Sequence, residues 1–70
     1  MKDKKRYSIT YVSGATGYGW EHETNSMREV KQIIKSMFNY TSALDVYDRE
    51  ADKFIYWKRV LSYDPEINEI

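Results

Sequence analysis

One helical pattern set between two pairs of alternating segments is the feature that most constrains the fold of this chain. Across residues 26–39 the apolar side chains recur at helical spacing and fall within an arc of about 140° on a helical wheel. They are Met27, Val30, Ile33, Ile34, Met37 and Phe38. Ser26 and Glu29 have the spacing of a capping box, and Asn39 is a residue type that ends helices. The segment therefore predicts one helix with a single apolar face.

Two segments with period-2 alternation precede this helix. Residues 6–12 alternate apolar with polar side chains, and residues 18–23 alternate aromatic residues and histidine with glycine and glutamate. Residues 13–17 between them contain two glycines, which tolerate the positive φ of tight turns. These segments predict a first β-hairpin.

Residues 43–48 and 53–61 predict a second hairpin with residues 49–52 as its loop. This loop length places Asp48 opposite Lys53, so that opposite charges face each other at the strand ends. In a regular ladder the further pairs are Tyr47 with Phe54, Val46 with Ile55, Asp45 with Tyr56, and Leu44 with Trp57. The expected core side chains of the second hairpin are Leu44, Val46, Ile55 and Trp57. The first hairpin is expected to add Tyr7, Ile9 and Tyr11, or the side chains that lie opposite them in that hairpin.

The ends of the chain are less defined. Asp64 followed by Pro65 is compatible with a single helical turn whose Ile67 and Ile70 pack onto the core, and equally with a frayed tail. The basic residues 1–5 are expected to be exposed or frayed. The element order is ββαββ, and we expect residues 1–70 to form one small α+β domain. Its four-stranded antiparallel sheet would carry the helix on one face, with strand order 2-1-3-4 or 1-2-4-3.

Composition narrows the classes of function. The chain has no cysteine, so disulfides and thiolate metal sites are excluded, and a reducing, cytoplasmic setting is expected. No apolar stretch is long enough to span a bilayer. Eleven basic and eleven acidic side chains cancel, so net charge gives no argument for a nucleic acid or a membrane surface as partner. The abundance of Lys, Ile and Tyr is typical of an AT-rich bacterial or phage genome.

No pattern predicts catalysis, a metal or a cofactor. His22 lies between two glutamates, but neighbours in a strand point to opposite faces, so we expect an ordinary solvent-facing histidine. The glycine-rich residues 14–19 lead into a strand rather than a helix, which excludes a phosphate-cradling loop. The expectation is a protein that is not an enzyme.

Two surfaces are candidates for binding. One helix of about 20 Å covers only one face of a four-stranded sheet, so the regular ladder leaves Tyr47, Phe54, Tyr56 and Lys58 on an uncovered face. An exposed apolar patch of this kind is typical of an interface. The second candidate is a cationic stripe along one flank of the helix, formed by Arg28, Lys31 and Lys35.

The leading hypothesis is a non-catalytic protein-interaction module. Its partner would be a second copy, as in a homodimer, or a larger host protein bound by a phage or bacterial accessory protein. The alternative is a binder of single-stranded nucleic acid, in which the aromatic side chains stack on bases while Lys53, Lys58 and Arg6 contact phosphates.

Overall fold

The chain folds into a five-stranded antiparallel sheet with one helix across one face, which confirms the α+β class and the ββαββ core. The structure is a computed structural model that describes residues 4–60 and 65–70. Its elements are β1 (Tyr7–Ser13), β2 (Gly19–Thr24), α1 (Met27–Met37), β3 (Thr41–Asp48), β4 (Lys53–Arg59) and β5 (Ile67–Asn68). The strand order is β2-β1-β3-β4-β5. Of the two predicted orders, 2-1-3-4 is therefore the observed one, and β5 extends the sheet beyond β4.

Helix α1 begins as its sequence predicts. Ser26 is the N-cap, and its hydroxyl accepts a hydrogen bond from the amide of Glu29 at 3.3 Å. The reciprocal half of the capping box is absent, because Thr24 Oγ1 accepts from the Ser26 amide at 3.0 Å instead. At the other end Phe38 is the C-cap, in right-handed helical conformation, so the prediction of Asn39 was wrong by one residue.

The core lies between α1 and the sheet. Four side chains are almost fully buried, namely Ile9, Val30, Leu44 and Val46, and Tyr7, Ile55 and Tyr56 join them. Partly buried side chains packed around this core include Tyr11, Met27, Ile33, Ile34 and Ile70. Full burial of one such aliphatic side chain is worth about 1.5–3 kcal/mol, so this contact fixes which sheet face receives the helix.

The loop of the second hairpin has the predicted four residues. Asp48 faces Lys53 across the ladder, and Asp48 Oδ1 accepts from the amides of Glu50 at 3.0 Å and Ala51 at 3.3 Å. Asp52 closes the turn with φ 55°, a left-handed conformation that Asp tolerates better than most residues. The predicted loop is confirmed.

The regular ladder predicted beyond this loop was wrong, because β4 contains a β-bulge. Tyr47 pairs with Phe54 as expected, but Val46 then faces Tyr56, which leaves Ile55 as the extra residue. The remaining observed pairs are Asp45 with Trp57, Leu44 with Lys58, and Ala43 with Arg59. Both Ile55 and Tyr56 belong to the buried core, whereas Trp57 does not. The expected core role of Trp57 is therefore corrected to Tyr56.

The C-terminal segment adds a strand where a helical turn was one of the predictions. Residues Ile67–Asn68 form β5 against β4, and the amide of Glu69 donates to the carbonyl of Ile55 at 2.9 Å. Ile70 packs against the core, as expected from its spacing. Residues 1–3 and 64 belong to the termini that were predicted to fray, and they lie outside the described residues. Residue 61, the predicted end of the fourth strand, also lies outside them.

Candidate functional site

Three aromatic side chains lie together on the sheet face opposite α1, here called the open face. Tyr47, Phe54 and Trp57 form this aromatic patch. The ring centroids of Tyr47 and Phe54 are 5.1 Å apart, and those of Phe54 and Trp57 are 5.6 Å apart, both with edge-to-face geometry. Such pairs add about 0.5–1.5 kcal/mol each beyond area burial, so the rings hold one another in place. Phe54, the central ring, remains 40% exposed.

An ion pair fixes the Trp57 end of the patch. The guanidinium of Arg59 donates to both carboxylate oxygens of Asp45, with Nη2 2.8 Å from Oδ2. The same guanidinium lies 3.9 Å from the centroid of the Trp57 ring. Asp45 is only 8% exposed, and its carboxylate is held by the Arg59 guanidinium. Bidentate geometry of this kind holds the three side chains as one unit.

The Tyr47 end of the patch is anchored in the hairpin loop. The Tyr47 hydroxyl donates to the Asp52 carboxylate. This hydrogen bond to the carboxylate is the main reason that the pKa of the Tyr47 phenol lies above its ordinary value. The phenol therefore stays protonated, and it remains a donor throughout the physiological pH range.

The other half of the open face is polar. On β1 and β2, Ser8 donates to Glu21 at 3.3 Å, and Glu23 accepts from Arg49 at 2.8 Å. The contact with Arg49 lowers the pKa of the Glu23 carboxyl. The open face therefore combines an aromatic patch on β3 and β4 with a hydrophilic, acidic area on β1 and β2.

Cations around the sheet are neutralised by neighbouring carboxylates. The ion pairs are Arg6 with Asp48 and Glu50, Arg49 with Glu23, Lys53 with Glu69, and Arg59 with Asp45. Arg6 and Lys53, two of the three residues expected to contact phosphates beside the aromatic side chains, are thus both engaged. Within residues 4–60 and 65–70, the cations Arg49, Lys53 and Arg59 near the aromatic patch thus each have a carboxylate partner.

The bulge moves two predicted site residues to the other side of the sheet. Tyr56 was expected on the uncovered face, but it lies in the core at 7% exposure. Burial raises the pKa of its phenol, and the charge of Glu66 adds to this effect. Lys58 was expected beside it on the same face, but its Nζ lies 3.1 Å from the centroid of the Phe38 ring at the end of α1. Of the four residues predicted for the uncovered face, only Tyr47 and Phe54 lie there.

A groove of about 440 Å³ runs between α1 and the C-terminal edge of the sheet. Its helix wall consists of Lys31, Ile34, Lys35 and Phe38, and its sheet wall includes Tyr56 and Ile70. The structure thus brings Lys31 and Lys35 of the predicted cationic stripe next to Tyr56. Arg28, the third residue of that stripe, is exposed one turn earlier on the helix.

A smaller cleft of about 300 Å³ lies beside the C-terminal end of α1, on the side of β1 and β2. It is lined by Tyr11, Ser13, Trp20, Met37, Tyr40 and Thr41. The rings of Tyr11 and Trp20 are stacked with centroids 5.8 Å apart, and Trp20 and Tyr40 remain largely exposed. This apolar cleft was not among the predicted surfaces, because its residues come from separate elements and share no local motif.

His22 is not the purely solvent-facing residue that its sequence context predicts. Its Nε2 lies 2.5 Å from Glu29 Oε1, and Thr24 Oγ1 donates to Glu29 Oε2 at 3.0 Å. These two contacts, with His22 contributing most, lower the pKa of the Glu29 carboxyl. The contacts tie the first turn of α1 to β2, so their evident role is structural.

Sequence reasoning missed Trp57, Asp45 and Arg59, which complete the open-face site. A regular ladder gives no signal for them, because only the bulge brings Trp57 to that face opposite Asp45. Within residues 4–60 and 65–70, no group of three or more His, Asp or Glu side chains is arranged to hold a metal ion. Nor does that part of the chain contain a helix of the length and apolar character needed to cross a membrane. Comparison with known proteins gives no match, whether to a family model, a curated protein or a solved structure.

Proposed function

We propose that this domain is a non-catalytic protein-interaction module that docks its partner on the aromatic patch of the open face. The observation that carries the proposal is the uncovered cluster of Tyr47, Phe54 and Trp57, whose rings are held in fixed edge-to-face contact. Rigid aromatic side chains lose little conformational freedom on binding, so such a cluster is well suited to bind another protein surface.

The surroundings of the patch support this function. Protein interfaces are enriched in Tyr, Trp, Phe and Arg at their centre and are polar at their rim. Here Arg59 lies over Trp57 and is already paired with Asp45, so it can enter an interface without leaving an unpaired buried charge. Ser8, Glu21 and Glu23 supply the polar rim on one side.

The occupant that we propose is a second copy of the chain. Two copies that meet patch to patch around a two-fold axis bury the same rings from both sides, which is the usual geometry of a homodimer. The formal net charge is zero, so no long-range repulsion opposes this encounter. The chain has no cysteine, so the dimer would form equally in the reducing cytoplasm that we propose as its setting.

Binding of single-stranded nucleic acid on the same face receives less support. Such sites combine stacking rings with unpaired cations that follow the phosphate backbone. The rings are present, but the nearby cations Arg49 and Arg59 are held by carboxylates, and Lys58 lies on the helix side. The charge pattern therefore favours a protein partner.

Sedimentation equilibrium of the full chain up to about 1 mM tests the proposal. We expect a monomer–dimer equilibrium that Phe54→Ser shifts by at least about ten-fold towards monomer, because this change removes the central ring. Tyr18→Ser is the matched control, since Tyr18 is 71% exposed in the first hairpin loop, outside the patch. This variant should dimerise like the wild type.

Two results would count against the proposal. If the wild-type chain stays monomeric over the whole concentration range, a second copy of the chain is excluded as the partner on the aromatic patch. The patch could then serve only a different protein. The docking surface itself is excluded if Phe54→Ser and Tyr18→Ser have the same effect on the dimerisation constant.

A further inference from the structure

The groove between α1 and the C-terminal edge of the sheet carries positive charge along its helix wall. Lys31 and Lys35 lie one helical turn apart on its lip. Within residues 4–60 and 65–70, no ion pair joins either lysine to a carboxylate, whereas Arg6, Arg49, Lys53 and Arg59 are all paired. In the same described part of the chain, Lys4, Lys5 and Arg28 share this lack of a carboxylate partner, but Lys31 and Lys35 add their charge to a groove, where it attracts an anionic ligand.

Apart from Asn68, the lining below the lysines is aliphatic or aromatic. Ile34 and Phe38 from the helix face Ile70 from the C-terminal segment, and these side chains offer contacts to aliphatic groups. The groove is open along its length, whereas sites for small molecules enclose most of the ligand. A ligand that fits both properties is extended and alternates acidic with apolar groups.

The aromatic rings of the groove are poorly placed for bases. Tyr56 is 7% exposed, and the Lys58 ammonium lies against the Phe38 ring. Stacking on a nucleic acid base needs an open ring face, so these two rings do not provide a platform.

A segment of the required chemistry already lies along this edge. Residues 65–70 include two acidic and two aliphatic side chains, namely Glu66, Glu69, Ile67 and Ile70. Glu69 pairs with Lys53 at 2.6 Å, and Ile70 packs against the core while it lines the groove. The edge thus binds an acidic and apolar segment in the free chain, with the Lys31 and Lys35 charges still unpaired beside it.

We propose that this groove binds an acidic, extended peptide segment of a second protein, whose carboxylates pair with Lys31 and Lys35 while its apolar side chains contact Ile34, Phe38 and Ile70. The site lies on the helix side of the sheet and does not rest on the function proposed for the open face. A chain with both surfaces occupied would join two partners.

Titration of the full chain with a capped hexapeptide of alternating glutamate and isoleucine tests the site, followed by the backbone amide shifts in NMR spectra. We expect saturable shifts centred on residues 31–38. The double variant Lys31→Gln with Lys35→Gln should weaken binding about five-fold or more, as expected for two surface ion pairs. Raising the salt from about 0.05 to 0.5 M should weaken binding too.

Matched controls separate this site from the open face and from simple charge. Arg28→Gln removes a cation from the same flank outside the groove and should change the affinity less than two-fold. Phe54→Ser should leave it unchanged. A capped hexapeptide of alternating glutamine and isoleucine is the uncharged control peptide. The proposal is overturned if this peptide binds as well as the glutamate–isoleucine peptide, or if Arg28→Gln weakens binding as much as the double variant. A thymidine oligonucleotide that binds these residues more tightly than the peptide would also overturn it, in favour of a nucleic acid.

Discussion

Removal of the Asp48 carboxylate should destabilise this domain more than any surface substitution. Its side chain is only 6% exposed and accepts four hydrogen bonds. Two come from Arg6, from Nε and Nη2 at 3.1 Å each, and two come from the amides of Glu50 and Ala51. The carboxylate thereby joins Arg6, which directly precedes β1 and lies 42 residues from Asp48 in sequence, to the turn between β3 and β4.

The magnitude follows from the number and kind of these bonds. A hydrogen bond to a charged group contributes about 1.5–3 kcal/mol, but Arg6 and the two amides regain water in the variant, so we expect Asp48→Ala to cost about 3 kcal/mol in total. A chain of this size has a total stability of about 3.5–10 kcal/mol. With a urea m-value of about 1 kcal/mol/M, the unfolding midpoint should fall by about 3 M.

Urea titration followed by circular dichroism measures this loss. Glu50→Gln is the control, because the 72% exposed Glu50 side chain touches the same Arg6 at 3.4 Å and should cost less than about 0.5 kcal/mol. A double-mutant cycle with Arg6→Ala should give a coupling energy above about 1 kcal/mol. The reasoning is refuted if Asp48→Ala costs no more than Glu50→Gln, or if the cycle shows no coupling.

Two further predictions concern the helix start and the response to acid. Ser26→Ala removes the N-cap acceptor and should lower the free energy of unfolding by about 1 kcal/mol, whereas Ser26→Asp should retain most of this stability. Equal losses for the two variants in urea titrations would contradict the capping role of Ser26. Hydrogen bonds from Arg49, His22 and Arg6 lower the pKa of the Glu23, Glu29 and Asp48 carboxyls, respectively, below the ordinary values of 4.5, 4.5 and 3.8. These ionised carboxylates therefore stabilise the folded chain in full above the ordinary pKa values. The stabilisation is lost as the pH falls through the lowered pKa values of the folded state. The urea midpoint should therefore drop between pH 5 and the acid limit of folding, and a midpoint independent of pH there would exclude these contacts.

Local signals account for the elements that the sequence predicts correctly. The Ser26 cap, the apolar stripe of α1 and the four-residue loop after Asp48 each depend on residues close in the chain. The strand order stayed open between 2-1-3-4 and 1-2-4-3, although β2 carries Glu21 and Glu23 on one face. Charged side chains favour an edge strand, and β2 is the outermost strand beside β1. By contrast, β5 spans two residues and depends on pairing with β4, for which no local pattern exists.

The register of β4 could not be predicted, for a physical reason. Residues Phe54, Ile55, Tyr56 and Trp57 are all apolar, so the strand has no polar alternation that identifies its inner face. A regular ladder and a bulged one both bury apolar side chains. The bulged form places two adjacent side chains, Ile55 and Tyr56, in the core, and it brings Arg59 within reach of Asp45. These gains depend on contacts across the sheet that only the folded chain contains.

That one extra residue determines the composition of both proposed surfaces. Because side chains alternate along a strand, a bulge at Ile55 exchanges the faces of every later residue in β4. Trp57 therefore completes the aromatic patch, while Lys58 moves to the helix side, where its charge lies against Phe38. Without the bulge, Tyr56 and Lys58 would share the open face with Phe54, and Trp57 would occupy the core. The aromatic patch and the Tyr56 wall of the groove thus both depend on a single irregularity in the β3–β4 ladder.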